Sequence, residues 1–269
     1  MCAFQRAACV IGYPAKHSRS PKVHGYWIKK YAVNGVYRAE EIPPRDVEAF
    51  ITNLASNGYV GANVTMPHKD LALRLAQPDH KATVIGAANT LWFDQDILRA
   101  TNTDGIGYIN SLNTLKPKWN ECLSDAIILG AGGASRAIVH ALLEYKIENV
   151  HVVNRTFAKA KAIQDNFGHN VHPHDWDTLP ELLPKAGLLV NTTSLGMYDQ
   201  PPLMIDLDLL SAKAIVSDIV YIPLKTELLE MAESRGLATT DGLQMLLHQA
   251  VLGFELWFGV RPAVTEELY

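Results

Sequence analysis

Short apolar runs alternate with longer amphipathic stretches along this chain, and their spacing predicts most of its elements. Residues 8–12, 36–41 and 61–65 read as buried strands, and residues 23–31 and 47–54 between them are long enough for crossover helices. That order, β-α-β-α-β, predicts a small α/β domain at the start of the chain. Further on, the strand-like run 126–129 leads straight into Gly130-Ala131-Gly132-Gly133-Ala134-Ser135 and a helical stretch over 136–145. A strand over 149–153, a helix over 158–167 and strands over 188–190 and 214–220 follow, which is a doubly wound order. The last helix, 243–258, carries Leu243, Leu246, Leu247, Ala250, Val251 and Phe254 at three-to-four spacing, a strong buried face. With no repeat and no low-complexity linker, the changes of pattern alone place the domain boundaries, near Thr103 and near Gly242.

Composition narrows the class. The 269 residues are 48% hydrophobic and 19% charged, ordinary globular usage that excludes disorder and, at this length, predicts two domains. No run reaches the ~18 apolar residues of a membrane span, and residues 7–11 are cut short by Gly12 and Pro14, so no signal-peptide core is expected. A net charge of -4, from 24 Lys and Arg against 28 Asp and Glu, argues against a general nucleic-acid binder and for small-molecule partners. Cys2, Cys9 and Cys122 are odd in number and lack metal spacing, which predicts free thiols and a cytoplasmic location. His169, His172 and His174, set among Asn170, Pro173 and Asp175, read as a solvated loop, so no metal is expected.

The glycine run gains meaning from its place between a strand and a helix. Gly130 suits the tight turn, Gly132 lets a pyrophosphate approach the backbone, and the helix start offers unpaired N–H groups to phosphate oxygens. The sixth position is Ser135, where Gly or Ala is usual. After the second strand no carboxylate stands where NAD's ribose hydroxyls would want one. Asn154, Arg155 and Thr156 follow Val153 instead, with Lys159 a turn later and the next acid only at Asp165. Arginine pairs with a phosphate and stacks on adenine, so the expected cofactor is NADP.

Four polar clusters lie at or just after the C-terminal ends of predicted strands, where open α/β sheets bind ligands: 17–21, 63–69, 88–90 and 102–105. Hydroxyls, amides, the Lys69 ammonium and the Asp104 carboxylate suit a small, hydroxylated acid. Singly, Ser18 and Ser20 could be helix caps, Asn89 a turn residue and Lys69–Asp104 a plain salt bridge. Oxidising a secondary alcohol requires its proton to leave as the carbonyl forms, which calls for an acid/base group and a charge stabiliser. Burial of Lys69 would favour the neutral amine and Asp104 beside it the ammonium, so which of the two moves the proton stays open.

Seven segments in order, 18–21, 61–69, 86–90, 102–105, 130–136, 154–156 and 241–250, resemble the shikimate dehydrogenase family over essentially the whole chain. The resemblance implies reversible reduction of 3-dehydroshikimate to shikimate by NADPH, on the route to aromatic amino acids. It implies a substrate-binding domain from residues 1–104 and 243–269, completed by the returning C-terminal helix, and a Rossmann-type NADP-binding domain over 105–242. It assigns Ser18, Ser20 and Tyr221 to the substrate carboxylate and Asn63, Thr65, Asn89 and Gln249 to the ring hydroxyls, although Tyr221 could equally pack its ring at a strand end. Lys69 and Asp104 match the catalytic pair. Gly130, Ala131, Gly132, Gly133, Ala134, Asn154, Arg155, Thr156, Lys159 and Ile219 match the cofactor contacts, with Met197 and Gly242 on the nicotinamide side. A monomer or homodimer without nucleic-acid or membrane partners is expected. The alternatives are a quinate/shikimate dehydrogenase with relaxed cofactor use, opposed by Arg155 and by having both Ser18 and Ser20, and a non-catalytic NADPH-binding regulatory relative, opposed by having both Lys69 and Asp104.

Overall fold

The computed structural model describes residues 5–121 and 123–269, so Cys2 and Cys122 lie outside the described residues. The chain divides into two compact units, Met1–Asp104 with Leu246–Tyr269, and Gly105–Met245.

The first unit runs β1 (Arg6–Gly12), α1 (Ser20–Lys30), β2 (Gly35–Glu41), α2 (Val47–Thr52), β3 (Tyr59–Val64), α3 (Lys69–Leu75), β4 (Gln77–Pro78), α4 (His80–Ile85), β5 (Thr90–Asp94) and β6 (Ile97–Thr101). These strands form one sheet in the order β2-β1-β3-β5-β6-β4. Strand β1 pairs in parallel with β2 and β3, as the β-α-β-α-β spacing predicts. The sequence did not announce the β5–β6 hairpin: Asp94 pairs with Ile97 across a two-residue turn without glycine, Gln95 itself taking the left-handed conformation at φ 55°. Strand β5 is antiparallel to β3, with Asn63 opposite Thr90. Residues 88–90 therefore lead into a strand and do not follow one, which corrects the sequence reading. The reversal brings the start of β5 to the sheet edge where β1, β3 and β6 end, so all four polar clusters still share one edge.

Alternating side chains of this sheet face two cores. Ala7, Cys9, Ile11, Ala62, Val64 and Leu91 pack with Ile51 and Leu54 on one side. On the other, His24 and Trp27 of α1 meet Tyr37 of β2 and two aromatic residues from the end of the chain, Phe254 and Trp257. The returning helix is seated by a specific device. Trp257 Nε1 donates to Leu91 O at 2.8 Å, and a Cβ on Gly61 would stand 2.1 Å from that nitrogen, so only glycine leaves room for the indole.

Next come α5 (Asp104–Leu115), which starts at the last residue of the first unit, β7 (Asp125–Leu129), α6 (Gly133–Glu144), β8 (Asn149–Val153), α7 (Phe157–Phe167), β9 (Val171–His174), α8 (Leu179–Leu182), β10 (Leu188–Asn191), β11 (Ile215–Asp218), α9 (Glu227–Ser234), β12 (Ala238–Thr240) and α10 (Gly242–Phe258). The second unit's sheet is wholly parallel, in the order β12-β11-β10-β7-β8-β9, the arrangement of doubly wound dinucleotide-binding folds. Ala126 and Ile128 face a core with residues of α5, α6 and α7, while Ile127 and Leu129 face one with α8 and α9. Among the described residues no helix is long and apolar enough to cross a membrane.

One local expectation fails here. Val171–His174 is a strand rather than a solvated loop, despite Pro173. Proline lacks the N–H a central strand needs, but β9 is the sheet's edge, where one N–H faces away from the ladder. His174 Nε2 lies 3.0 Å from His151 Nδ1, and Asp125 Oδ1 stands 3.3 Å from the other nitrogen of His151.

Candidate active site

In the first unit Lys69 is the opening residue of α3 and Asp104 the opening residue of α5. Their Nζ and Oδ2 atoms are 2.5 Å apart, with side chains 15% and 8% exposed, so this is no solvent-facing ion pair. A lysine in a helix's first turn works against the helix dipole, typically by about 0.3–1 kcal/mol. Helix stability therefore does not explain its presence there.

Asn89, 2% exposed, organises the groups around the pair. Its Nδ2 donates to Asp104 Oδ1 at 2.8 Å and reaches Thr103 Oγ1 at 3.0 Å and Gln249 Oε1 at 3.2 Å, while its Oδ1 accepts from Thr103 N at 2.8 Å and Thr90 Oγ1 at 3.0 Å. Gln249 thus arrives from α10, 160 residues away in sequence, because the Trp257 end of that helix is docked on the same sheet. Asn63 joins through Nδ2, 3.4 Å from both Asn89 O and Thr90 Oγ1. The structure brings together Lys69, Asp104, Asn89, Asn63 and Gln249. Ser18 lies in the turn entering α1 and Ser20 is that helix's buried first residue; Ser18 Oγ accepts from Ser20 N at 3.2 Å, and Ser18 stays half-buried. Thr65 is half-buried beyond β3, its methyl against Gly12, where a Cβ would come within 2.3 Å.

Tyr37 escaped the sequence reading. Its hydroxyl donates to Asn63 Oδ1 at 2.6 Å and leaves Asn63 to present its amide to the network. An aromatic residue in a strand reads as core, so no sequence signal separates it. Behind it His24 is fully buried and stacked on Tyr37 at 3.9 Å. Burial pushes the His24 imidazole down from 6.5 to about 3. Between these values the unfolded chain binds a proton that the folded chain does not, so stability rises with pH across the window, by up to about 1.4 kcal/mol per unit. His24→Phe is expected to flatten that slope. Urea unfolding at pH 4, 5 and 7 measures it, and an unchanged slope would place the acid sensitivity elsewhere.

The cofactor candidates lie in the second unit. Gly130 follows β7 at φ +105°, where a Cβ would come within 2.8 Å of Thr192 Oγ1, so the turn requires glycine. Thr192 follows β10, and the β7–β10 junction is where the strand order reverses, the usual dinucleotide crevice. Gly132 precedes α6 with nothing within 4 Å of a notional Cβ and no side chain capping the helix. Ala131, Gly133 and Ala134 surround it. Ser135, at the position where Gly or Ala is usual, is fully buried and donates its hydroxyl to Gly130 O at 2.7 Å, closing the loop. Beyond β8, Asn154 Nδ2 donates to Thr156 O at 2.9 Å, and Arg155, Thr156 and Lys159 are exposed. An open glycine loop, an uncapped helix start and exposed cations past the neighbouring strand fit a phosphorylated dinucleotide. Met197, Ile219 and Tyr221 lie half-buried past the ends of β10 and β11, and Gly242 opens α10, where a Cβ would stand 2.0 Å from Ile219 O.

Three family profiles match the chain: Shikimate dehydrogenase substrate binding domain over residues 10–91, Shikimate / quinate 5-dehydrogenase over 116–198 and Shikimate 5'-dehydrogenase C-terminal domain over 242–266. Over 268 residues the chain is 54% identical to a shikimate dehydrogenase (NADP(+)) of Rhodopseudomonas palustris (strain TIE-1), a match covering 100% of this chain and 96% of that one. The chain belongs to the shikimate dehydrogenase family. Among solved structures it is similar to shikimate 5-dehydrogenase of Thermus thermophilus in complex with NADP(H) and shikimate, with a TM-score of 0.86, 33% identity and coverage of 96% and 95% of the two chains. It is also similar to quinate dehydrogenase of Corynebacterium glutamicum in complex with NAD, with a TM-score of 0.88, 28% identity and the same coverage. Membership of the shikimate dehydrogenase family accounts for both glycine-loop and polar-edge residues in one chain.

Proposed function

We propose that this chain is an NADP-dependent shikimate dehydrogenase, interconverting shikimate and 3-dehydroshikimate in aromatic amino-acid biosynthesis, with Lys69 and Asp104 as its catalytic pair. The observation that carries the pair is their 2.5 Å contact at a polar sheet edge lined by amides and hydroxyls. When bound, the dinucleotide supplies or accepts the hydride. In the oxidising direction Lys69 and Asp104 hold the reacting hydroxyl and take up its proton as the carbonyl forms; in the reducing direction they return it. Asn89 fixes Asp104 by donating to Oδ1, which leaves Oδ2 for the ammonium. Asn63, Thr65, Asn89 and Gln249 are proposed for the ring hydroxyls, and Ser18, Ser20 and Tyr221 for the carboxylate.

The 2′-phosphate is proposed to sit on Arg155, Thr156 and Lys159, with Asn154 shaping the turn through its bond to Thr156. Arg155→Ala is expected to weaken NADP about tenfold or more while leaving NAD nearly unchanged, since charge-assisted bonds to a phosphate are lost only for NADP. Equal loss for both cofactors would make Arg155 a structural residue. Partners are proposed to be these two small molecules, in a cytoplasmic monomer or homodimer.

A quinate/shikimate dehydrogenase is the second reading, favoured by the likeness to the Corynebacterium protein and opposed by Arg155 beyond β8. One assay separates the two: the absorbance of reduced nicotinamide, followed with shikimate or quinate crossed with NADP or NAD. Turnover of shikimate with NADP above every other pairing is expected, and faster turnover of quinate would overturn the first reading.

A further inference from the structure

Asp218, the last residue of β11, is 1% exposed, and its carboxylate meets three neutral donors. Val220 N and Asn191 Nδ2 each donate to Oδ1 at 3.0 Å, and Thr226 Oγ1 donates to Oδ2 at 2.8 Å. A carboxylate buried without a cation is costly to keep ionised, so mere space filling does not explain an aspartate here.

What it joins is specific. Asn191 ends β10, and its Oδ1 accepts from Thr193 N at 3.0 Å and Thr193 Oγ1 at 2.7 Å, fixing the start of the segment that leads to Met197. On the other side Val220 follows Ile219 and precedes Tyr221, and its carbonyl accepts from Gly242 N at 3.2 Å. Tyr198 N, next to Met197, donates to Ile222 O at 3.0 Å. Met197, Ile219, Tyr221 and Gly242 are therefore all held by segments that meet at one carboxylate.

We propose that ionised Asp218 is the positioning residue that locks the 191–198 and 218–226 segments in the arrangement that orients the nicotinamide for hydride transfer; this rests on the NADP reading above. As an anion it accepts from all three donors at once. Once protonated on Oδ2 it must donate that proton, and of its three partners only the Thr226 hydroxyl can accept it, so the Thr226 bond has to reverse and the bonds from Val220 N and Asn191 Nδ2 lose their charge assistance. Burial pushes the Asp218 carboxyl up to about 6, which brings the loss into a measurable range. Titratable groups on the surrounding elements are Tyr108 of α5, whose burial pushes it upward beside Ser217, Glu227 and Glu230 of α9, the Lys225–Glu233 pair, and Asp241 ahead of α10. Burial raises Asp218 against the opposing pull of its three hydrogen bonds.

The test is the pH dependence of kcat for shikimate and NADP between pH 5 and 9, in the wild-type chain, Asp218→Asn and Thr226→Val. The wild type is expected to lose kcat below about pH 6. Asp218→Asn should lower kcat about tenfold at pH 8 with the KM for shikimate little changed, and should abolish the acid limb. Thr226→Val removes one donor to the anion, so its acid limb should move to higher pH by about one unit. If Asp218→Asn does not fold, Thr226→Val decides alone. An acid limb that stays in place in Thr226→Val, or that persists in a folded Asp218→Asn, overturns the proposal. The fluorescence of bound NADPH is the second readout: in the wild type it is expected to change through the same pH range as kcat and in Asp218→Asn to stay flat. A pH-independent signal in the wild type overturns the proposal, whereas failure of the wild-type chain to bind NADPH at any pH would instead overturn the cofactor reading itself.

Discussion

Lys69→Ala is expected to lower kcat by about a hundredfold to ten-thousandfold, the usual range for a lost acid/base group, with a much smaller rise in KM. The ammonium touches Asp104 in the resting site, but its proposed work is on charge and a proton that shift only as the carbonyl forms. Interactions made only in the transition state appear in kcat. Asp104→Asn should behave alike, since the amide cannot balance the ammonium or receive the proton. Ser18→Ala supplies the contrast: its hydroxyl is proposed to bind a carboxylate that keeps its charge throughout, so it should chiefly raise KM, by roughly tenfold. Steady-state kinetics in both directions measures all three. A Lys69→Ala enzyme with near-normal kcat and a high KM would reduce Lys69 to a binding residue and pass the proton to Asp104 or to water.

Asn89→Ala is expected to cost both stability and turnover. The truncation strips Thr103 N–H and Thr90 Oγ1 of their buried acceptor and Asp104 Oδ1 of its donor. Each buried polar group left unpaired costs about 1–3 kcal/mol, so a loss of about 3 kcal/mol or more is expected. Urea unfolding followed by tryptophan fluorescence reads it well, because Trp257 belongs to the same unit. Loss of under ~1 kcal/mol would mean that water replaces the amide. Turnover should fall at the same time, because Asp104 is then free to leave the position in which it meets Lys69.

Much of the fold was legible. Strands β1, β2 and β3 and the crossover helices between them were visible as apolar runs of the right length, and so were the glycine turn and helix α6. What stayed hidden had local reasons. The β5–β6 turn uses Gln95 in a conformation that sequence associates with glycine, and β9 contains a proline that only an edge position permits. Residues of the 63–69, 88–90 and 102–105 clusters could be named one by one as polar groups near strand ends. Their mutual distances could not, and neither could Tyr37 or Asp218, whose partners lie 26 and 27 residues away or across a loop.

By itself the sequence determined the strand and helix periods, the glycine loop, the absence of an acid after β8 and the family to which the chain belongs. These are properties of short segments, where side-chain period, backbone freedom and charge act over a few residues. Only the tertiary structure decided that Asn89 would join Asp104 to Gln249, that Gly61 would make room for Trp257, and that an antiparallel β5 would turn its first residues toward the edge where β1 and β3 end. The physical reason is that hydrogen-bond partners and packing volumes are set by strand order and register, and those emerge only when distant segments compete for the same buried space.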